Sequence, residues 1–173
     1  MVYETEAESG QRRWLLKAVR ESAGELFGLF YGLNEKLLRR SPAPDEWCMK
    51  EIAAHLRDAE VQWQKQLEAI AHMHETRLPC EPVDVFPSER DYRSEPLGRL
   101  LGEYEEARQE TFWLLRMLDE DEWSRAGIHP YRGRITVADI AREIHEHDLE
   151  HLHQARRLRE FLGIPERKRD SDF

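Results

Sequence analysis

No stretch of this sequence approaches the run of about 18 apolar residues that a helix needs to cross a bilayer, so a membrane-spanning protein is excluded. Cysteine is scarce. Cys48 and Cys80 are the only two in 173 residues and form no metal or redox motif, so they read as free thiols in a reducing compartment. The first residues, MVYETEAESGQRRW, lack the apolar core of a secretory signal, and the protein is read as cytoplasmic. Glycine and proline are few, at nine and eight residues, which leaves room for long uninterrupted helices. Uncompensated basic charge is missing too. The net charge is −9, and the basic stretches Arg12–Arg13, Arg39–Arg40, Arg156–Arg157 and Arg167–Arg169 are short and interleaved with acids. Such a surface repels a phosphate backbone, so no nucleic-acid partner is expected, and the basic stretches read as solvated helix faces and ends.

What is present is 40% apolar and 35% charged residues, the composition of a charged surface around a modest core. One domain over 1–173 is expected, with its core at about 10–163. Apolar residues recur at spacings of three and four in four segments. The first, 10–40, carries Trp14, Leu15, Val19, Leu26, Phe30, Leu33 and Leu37 and stops before Pro42. The second, 47–73, has Asp45 as a candidate cap and Met49, Ile52, Leu56, Trp63, Leu67 and Ile70 on its apolar face. The third covers 96–118, with Leu100, Tyr104, Ala107, Thr111 and Leu115. The fourth covers 136–162, opening on Thr136 with Asp139 three residues on, close to a capping box, and ending at Gly163 before Pro165.

The second connection, roughly 74–95, holds Pro79, Pro82 and Pro87 and has no periodicity. A loop of this length inside a compact domain has a job. If the second and third helices run parallel, the chain must climb back along a helix about 37 Å long, which some 20 residues can span. A turn at Tyr131-Arg132-Gly133-Arg134 is the only β signal.

The fourth segment holds His145, His147, His151 and His153. At about 100° per residue, His151 lies about 40° round from His147, and Ile140, Ile144 and Leu158 fall within about 60° of it. His147 and His151 therefore lie in the core-facing stripe, while His145 and His153 lie about 160° and about 120° away on opposite sides. Buried imidazoles need partners. Either the pair is bonded to acids across the bundle, or its ring nitrogens converge on one metal ion. His55 follows Ile52 by three on the second helix. It lies about 10 Å from that helix's start, while His151 lies about 16 Å from the other's end, so three imidazoles can meet in one layer. A set of three histidines with an open position is the pattern of a reactive metal site.

Competing motifs fail. His147-Asp148-Leu149-Glu150-His151 matches the inverted zinc-peptidase signature but lacks a later helix to supply an acidic ligand. Glu150-x-x-His153 is half of a di-iron motif with no second half. There is no nucleophile elbow, P-loop or dinucleotide-binding glycine pattern.

Three blocks bear on the site. Trp47-Cys48-Met49-Lys50-Glu51-Ile52-Ala53-Ala54-His55-Leu56-Arg57-Asp58-Ala59-Glu60 resembles the W-S-x-x-E-I-x-x-H-L-x-D-x-E block of the DinB/YfiT-like family of metal-binding bundles. Gly127-Ile128-His129-Pro130 through Thr136-Val137 is similar to that family's lead into its last helix, and Ile144 through Gln154 to its H-x-x-H-D-x-x-H-x-x-Q block. The resemblance spans roughly 14–160. It implies an all-α, up-down-down-up four-helix bundle with a long crossover between helices 2 and 3. It also implies a divalent ion (zinc, nickel or iron) on His55, His147 and His151, with water completing the shell, and a homodimer. Two chemistries are implied: thiol S-transfer, with bacillithiol, mycothiol or glutathione and a small-molecule electrophile, or metal-dependent hydrolysis. S-transfer stands slightly ahead on that resemblance alone. The alternative is a non-catalytic metal-binding bundle of a stress response. Cys48 stands where the family carries a capping serine, about two turns from His55, and is either a poor cap or a redox-sensitive thiol. Glu51, Asp58 and Asp148 are either acids that orient the imidazoles or a solvated acidic face.

Overall fold

The computed structural model describes residues 6–164; Pro165 and the Arg167–Arg169 cluster lie outside the described residues. Four long helices form the bundle: α1 (Glu6–Gly28), α3 (Met49–His72), α5 (Leu97–Met117) and α7 (Val137–Phe161). The short helices α2 (Glu35–Leu38), α4 (Phe86–Glu89) and α6 (Glu120–Trp123) lie in the connections, with a 3-10 turn at Tyr92–Ser94.

Side-chain contacts fix the helix directions. Along α3, Arg57 pairs with Glu103 at 2.9 Å and Glu60 with Arg108 at 2.8 Å, and Gln64 bonds Glu110, so α3 and α5 run parallel. Along α1, Trp14 meets His145, Ser22 bonds Asp148 and Glu25 pairs with Arg156, so α1 and α7 are parallel as well. Arg12 reaches the Leu118 carbonyl, and Phe27 packs on Tyr104, so α1 opposes α5. The topology is up-down-down-up.

The crossover climbs back along α3 as its length allows. Gln66 donates to the Pro79 carbonyl at 2.8 Å, the Glu81 N–H to Gln62 at 2.5 Å, and Lys50 to the Arg93 carbonyl at 3.1 Å. Buried Phe86 and Tyr92 anchor it to the core. The segment is not structureless: besides α4 and the 3-10 turn, Arg77 bridges to Ile128 of a β-hairpin. The hairpin pairs β1 (Ala126–His129) antiparallel to β2 (Gly133–Thr136), and its turn is the one the sequence marked. Gly127 is required there, because a Cβ would lie 2.2 Å from Leu78 Cδ2.

Two expectations need correction. The first helix does not run through 10–40. It ends at Gly28, Gly32 takes φ 76°, and Asn34 caps the separate α2 by accepting from the Leu37 N–H. Asp45 does not cap α3. Cys48 occupies that position, and its N–H donates to Glu51 Oε2 at 2.8 Å. The thiol is fully buried, and burial pushes its pKa up, which disfavours the reactive thiolate. Thr136 and Asp139 do form the capping box of α7.

Two apolar clusters fill the bundle. One gathers Leu26, Phe30, Ile52, Leu56, Leu100 and Leu158. The other gathers Leu15, Val19, Leu67, Ile70, Leu115, Ile140 and Ile144. Between them lies a polar layer. Arg108 makes a bidentate pair with Asp148, at 2.7 and 2.9 Å, and donates to the Val19 carbonyl at 2.9 Å. Glu60 Oε2 lies 2.8 Å from the same guanidinium, and Ser22 also bonds Asp148. Removing one partner of a buried ion pair leaves uncompensated charge in low dielectric, at a cost of about 3–5 kcal/mol. Arg108→Ala is therefore expected to lower the unfolding free energy in urea by about that much, while Arg99→Ala, whose partner Glu103 is on the surface, should leave it nearly unchanged. Equal losses in the two variants would contradict this account.

Candidate metal centre

His55 sits on the second turn of α3, and His147 and His151 are one turn apart on α7. Because α3 and α7 face each other across the layer, the three rings meet. His55 Nε2 is 2.9 Å from His147 Nε2, and His151 Nε2 is 3.1 Å from His147 Nε2. One nitrogen from each ring lies within 4.8 Å of the other two. His55 is 1% exposed and His151 8%, with His147 half-buried between them.

The outward nitrogens explain this orientation. His55 Nδ1 faces the Val83 carbonyl at 3.3 Å, and His151 Nδ1 faces Gln154 Oε1 at 2.7 Å. Both partners are acceptors, so each Nδ1 carries the proton and each Nε2 presents a lone pair. His147 Nδ1 is buried with no hydrogen-bond partner. Trp47 packs on His55 at 4.9 Å and stacks parallel to His151 at 6.1 Å, and Trp63 sits edge-on to His147 at 4.8 Å. Three basic nitrogens thus converge, and one N–H from His147 could satisfy only one of the other two. A divalent cation satisfies all three, so the donor set fits a metal ion of the kind that takes imidazole ligands.

The electrostatics keep the three imidazoles neutral. Burial first, and the neighbouring His151 second, hold the His55 pKa down to about 4. Burial, then His151 and His55, push His147 down to about 2. Burial lowers His151 as well.

The other histidines lie off the site. His145 is half-buried with its ring against Trp14, and His153 is exposed. Glu51, Asp58 and Asp148 do not orient the imidazoles, nor do they form a solvated face. Glu51 caps α3 and binds Arg93 at 3.1 Å, Asp58 binds Arg57 at 3.0 Å and the Tyr92 hydroxyl, and Asp148 binds Arg108. Val83 and Gln154 take that role instead. Gln154, three residues after His151, had a signal in its helical spacing. Val83 had none, because a backbone carbonyl on an aperiodic loop leaves no mark in a sequence.

A cleft of about 600 Å³ reaches one of the three histidines, His151, and is lined as well by Trp47, Gln154, Arg157, Phe161 and the exposed His153. A second cleft, about 570 Å³ between α3, α5 and the crossover, holds none of the three histidines.

Fold and site together define a four-helix bundle built around a buried three-histidine cluster. The sequence pattern of the DinB superfamily matches residues 18–155, and the chain belongs to that family. It is 22% identical over 152 residues to the uncharacterized protein YuaE of Bacillus subtilis (strain 168), covering 81% of this chain and 94% of YuaE. Its fold matches that of YfiT from Bacillus subtilis with a TM-score of 0.82 at 14% identity, over 95% of this chain and 93% of that one. YfiT is described as a probable metal-dependent hydrolase with an unusual four-helix bundle topology.

The lowered pKa values fix a pH dependence. Between the ordinary value of 6.5 and about 4, the unfolded chain takes up protons at His55 that the folded chain refuses. Stability of the metal-free protein from this source is therefore complete above pH 6.5 and lost as pH falls toward 4. Urea titrations of chelator-treated protein at pH 7.5 and 5 should show a larger loss for wild type than for a variant with His55, His147 and His151 all changed to Ala. Equal losses would contradict neutral burial.

Proposed function

We propose that this protein is a metal-dependent hydrolase acting on a small molecule, with a divalent ion held by His55, His147 and His151. The observation that carries the reading is the convergence of three Nε2 atoms beside a cleft large enough for a small substrate. Three neutral imidazoles leave an ion its full positive charge, and the chemistry such an ion supplies is Lewis-acid activation of a water or thiol nucleophile near neutral pH. The chain's own groups do the rest. Val83 and Gln154 hold two rings in the tautomer that offers Nε2, while Trp47 and Trp63 pack against the rings and limit water on those sides. The substrate enters along Trp47 and reaches the site at His151. YfiT's description favours hydrolysis over the thiol S-transfer expected from the family resemblance.

Metal analysis of untagged protein tests the site and also names the ion. Wild type should carry one equivalent, and each of His55→Ala, His147→Ala and His151→Ala should lose most of it while keeping its helical circular dichroism. Folding survives because the four apolar stripes dominate stability. His145→Ala and His153→Ala, off the site, should keep stoichiometric metal. A wild type without metal, or single-Ala variants that retain it, would overturn the reading. The reaction is tested on metal-loaded protein with ester and amide panels, alongside a thiol plus a chlorodinitrobenzene-type electrophile. Turnover only in the second assay would replace hydrolysis with S-transfer, and turnover in neither would leave a non-catalytic bundle.

A further inference from the structure

The crossover does more than return the chain to the start of α5. Consecutive residues on it address both nitrogens of His55. The Val83 carbonyl takes the Nδ1 proton, and the Asp84 carboxylate Oδ1 lies 3.7 Å from Nε2. Because Nδ1 is the protonated nitrogen, the second contact sets a carboxylate oxygen against an unprotonated nitrogen lone pair, with no hydrogen between them. A cation between these two electron-rich atoms would turn the contact into an attractive one. The Asp84 side chain is 89% exposed and has no other hydrogen bond or ion pair among the described residues, so nothing else fixes it there. The segment that carries it is anchored: the Val85 N–H bonds the Pro82 carbonyl at 3.0 Å, and Phe86 is buried.

The three histidine nitrogens lie within 4.8 Å of one another and Asp84 stands just outside that set, next to His55, so its exposed side chain joins a shared ion by a rotation about its own bonds. Ligand atoms at about 2.1 Å from a tetrahedral centre lie about 3.4 Å from one another. The nitrogen pairs at 2.9 and 3.1 Å fall just inside that separation, and the Asp84–His55 contact at 3.7 Å falls just outside it. The other nearby acids are committed elsewhere, Asp58 to Arg57 and Asp148 to Arg108.

We propose that Asp84 is a fourth protein ligand, which the crossover brings to the ion held by His55, His147 and His151; the inference rests on the metal reading given above. The carboxylate approaches from the crossover, and the Trp47 side, where the cleft opens, is left to water or substrate. A ligand on the crossover also links metal binding to the order of that segment, because whatever binds the ion through Asp84 restrains the backbone from Pro82 to Phe86.

Zinc and cobalt(II) affinities, measured by chelator competition on full-length wild type, Asp84→Asn and His55→Ala, test the assignment. Asp84→Asn keeps the shape and removes the anion. It should weaken both metals by at least about tenfold, change the visible spectrum of the cobalt form, and leave helical content unaltered. In wild type, metal should also slow amide hydrogen exchange at Val83 and Val85, and in Asp84→Asn that protection should vanish. Unchanged affinity, or weaker affinity with an unchanged cobalt spectrum and retained protection, would overturn the assignment. Wild type that binds neither metal would overturn the metal reading itself. Wild type and Asp84→Asn binding equally, with His55→Ala losing the metal, would overturn only Asp84.

Discussion

The guanidinium of Arg108 is the fixed point of this bundle. It reaches from α5 to Asp148 on α7, to Glu60 on α3 and to the Val19 carbonyl on α1, so one side chain ties all four long helices at one level. Such a layer is a poor source of net stability, because desolvating three charges offsets much of their attraction. Its value is registry. An apolar stripe tolerates a slip of one turn, since leucine can replace leucine; a bidentate guanidinium–carboxylate pair does not. Two carboxylates share one guanidinium, and burial pushes Glu60's carboxyl up, toward its neutral form.

That registry is what the histidines require. Asp148 follows His147 directly and shares the turn that ends at His151, so the Arg108 pair fixes the height of both imidazoles. Glu60 lies between His55 and Trp63 on α3, and its contact with Arg108 sets the height of the facing ring. Nitrogens must meet within a few tenths of an ångström to share an ion. A helix shifted by one residue rises about 1.5 Å and turns about 100°, enough to break the convergence.

Much of this was legible beforehand because helices announce themselves by period. The stripes, the Thr136 cap and the phase that separates His147 and His151 from His145 and His153 all follow from about 3.6 residues per turn. The polar layer was missed for a reason that lies in the same method. Sorting by polarity sends Glu60 and Arg108 to the solvent, although Arg108 stands one turn from both Tyr104 and Thr111, inside the stripe of α5, and its phase marked it as buried. The break after Gly28 was misjudged because Phe30, Leu33 and Leu37 keep a helical spacing across it; Gly32 at φ 76° and the Asn34 cap decide the matter locally. The crossover carried no period at all, so Val83 and Asp84 could be placed only by structure.

The topology gives that crossover its importance. In an up-down-up-down bundle, short loops at the ends join the helices, and no connection passes the middle of the core. Here α3 and α5 are parallel, and the chain must travel the length of α3 between them. It runs beside Gln66, Gln62, His55 and Lys50 in turn, so a loop backbone is laid against the level of the histidines. Helix faces can supply imidazoles to that level, but side chains on the four helices already close it with tryptophan and the Arg108 layer. The crossover approaches from outside the helices, anchored by buried Phe86 and Tyr92, and its exposed side chains are free to vary without disturbing the packed stripes. The same separation of roles, rigid helices for the nitrogens and a returning loop for what surrounds them, allows the three imidazoles to stay fixed while the residues around them change.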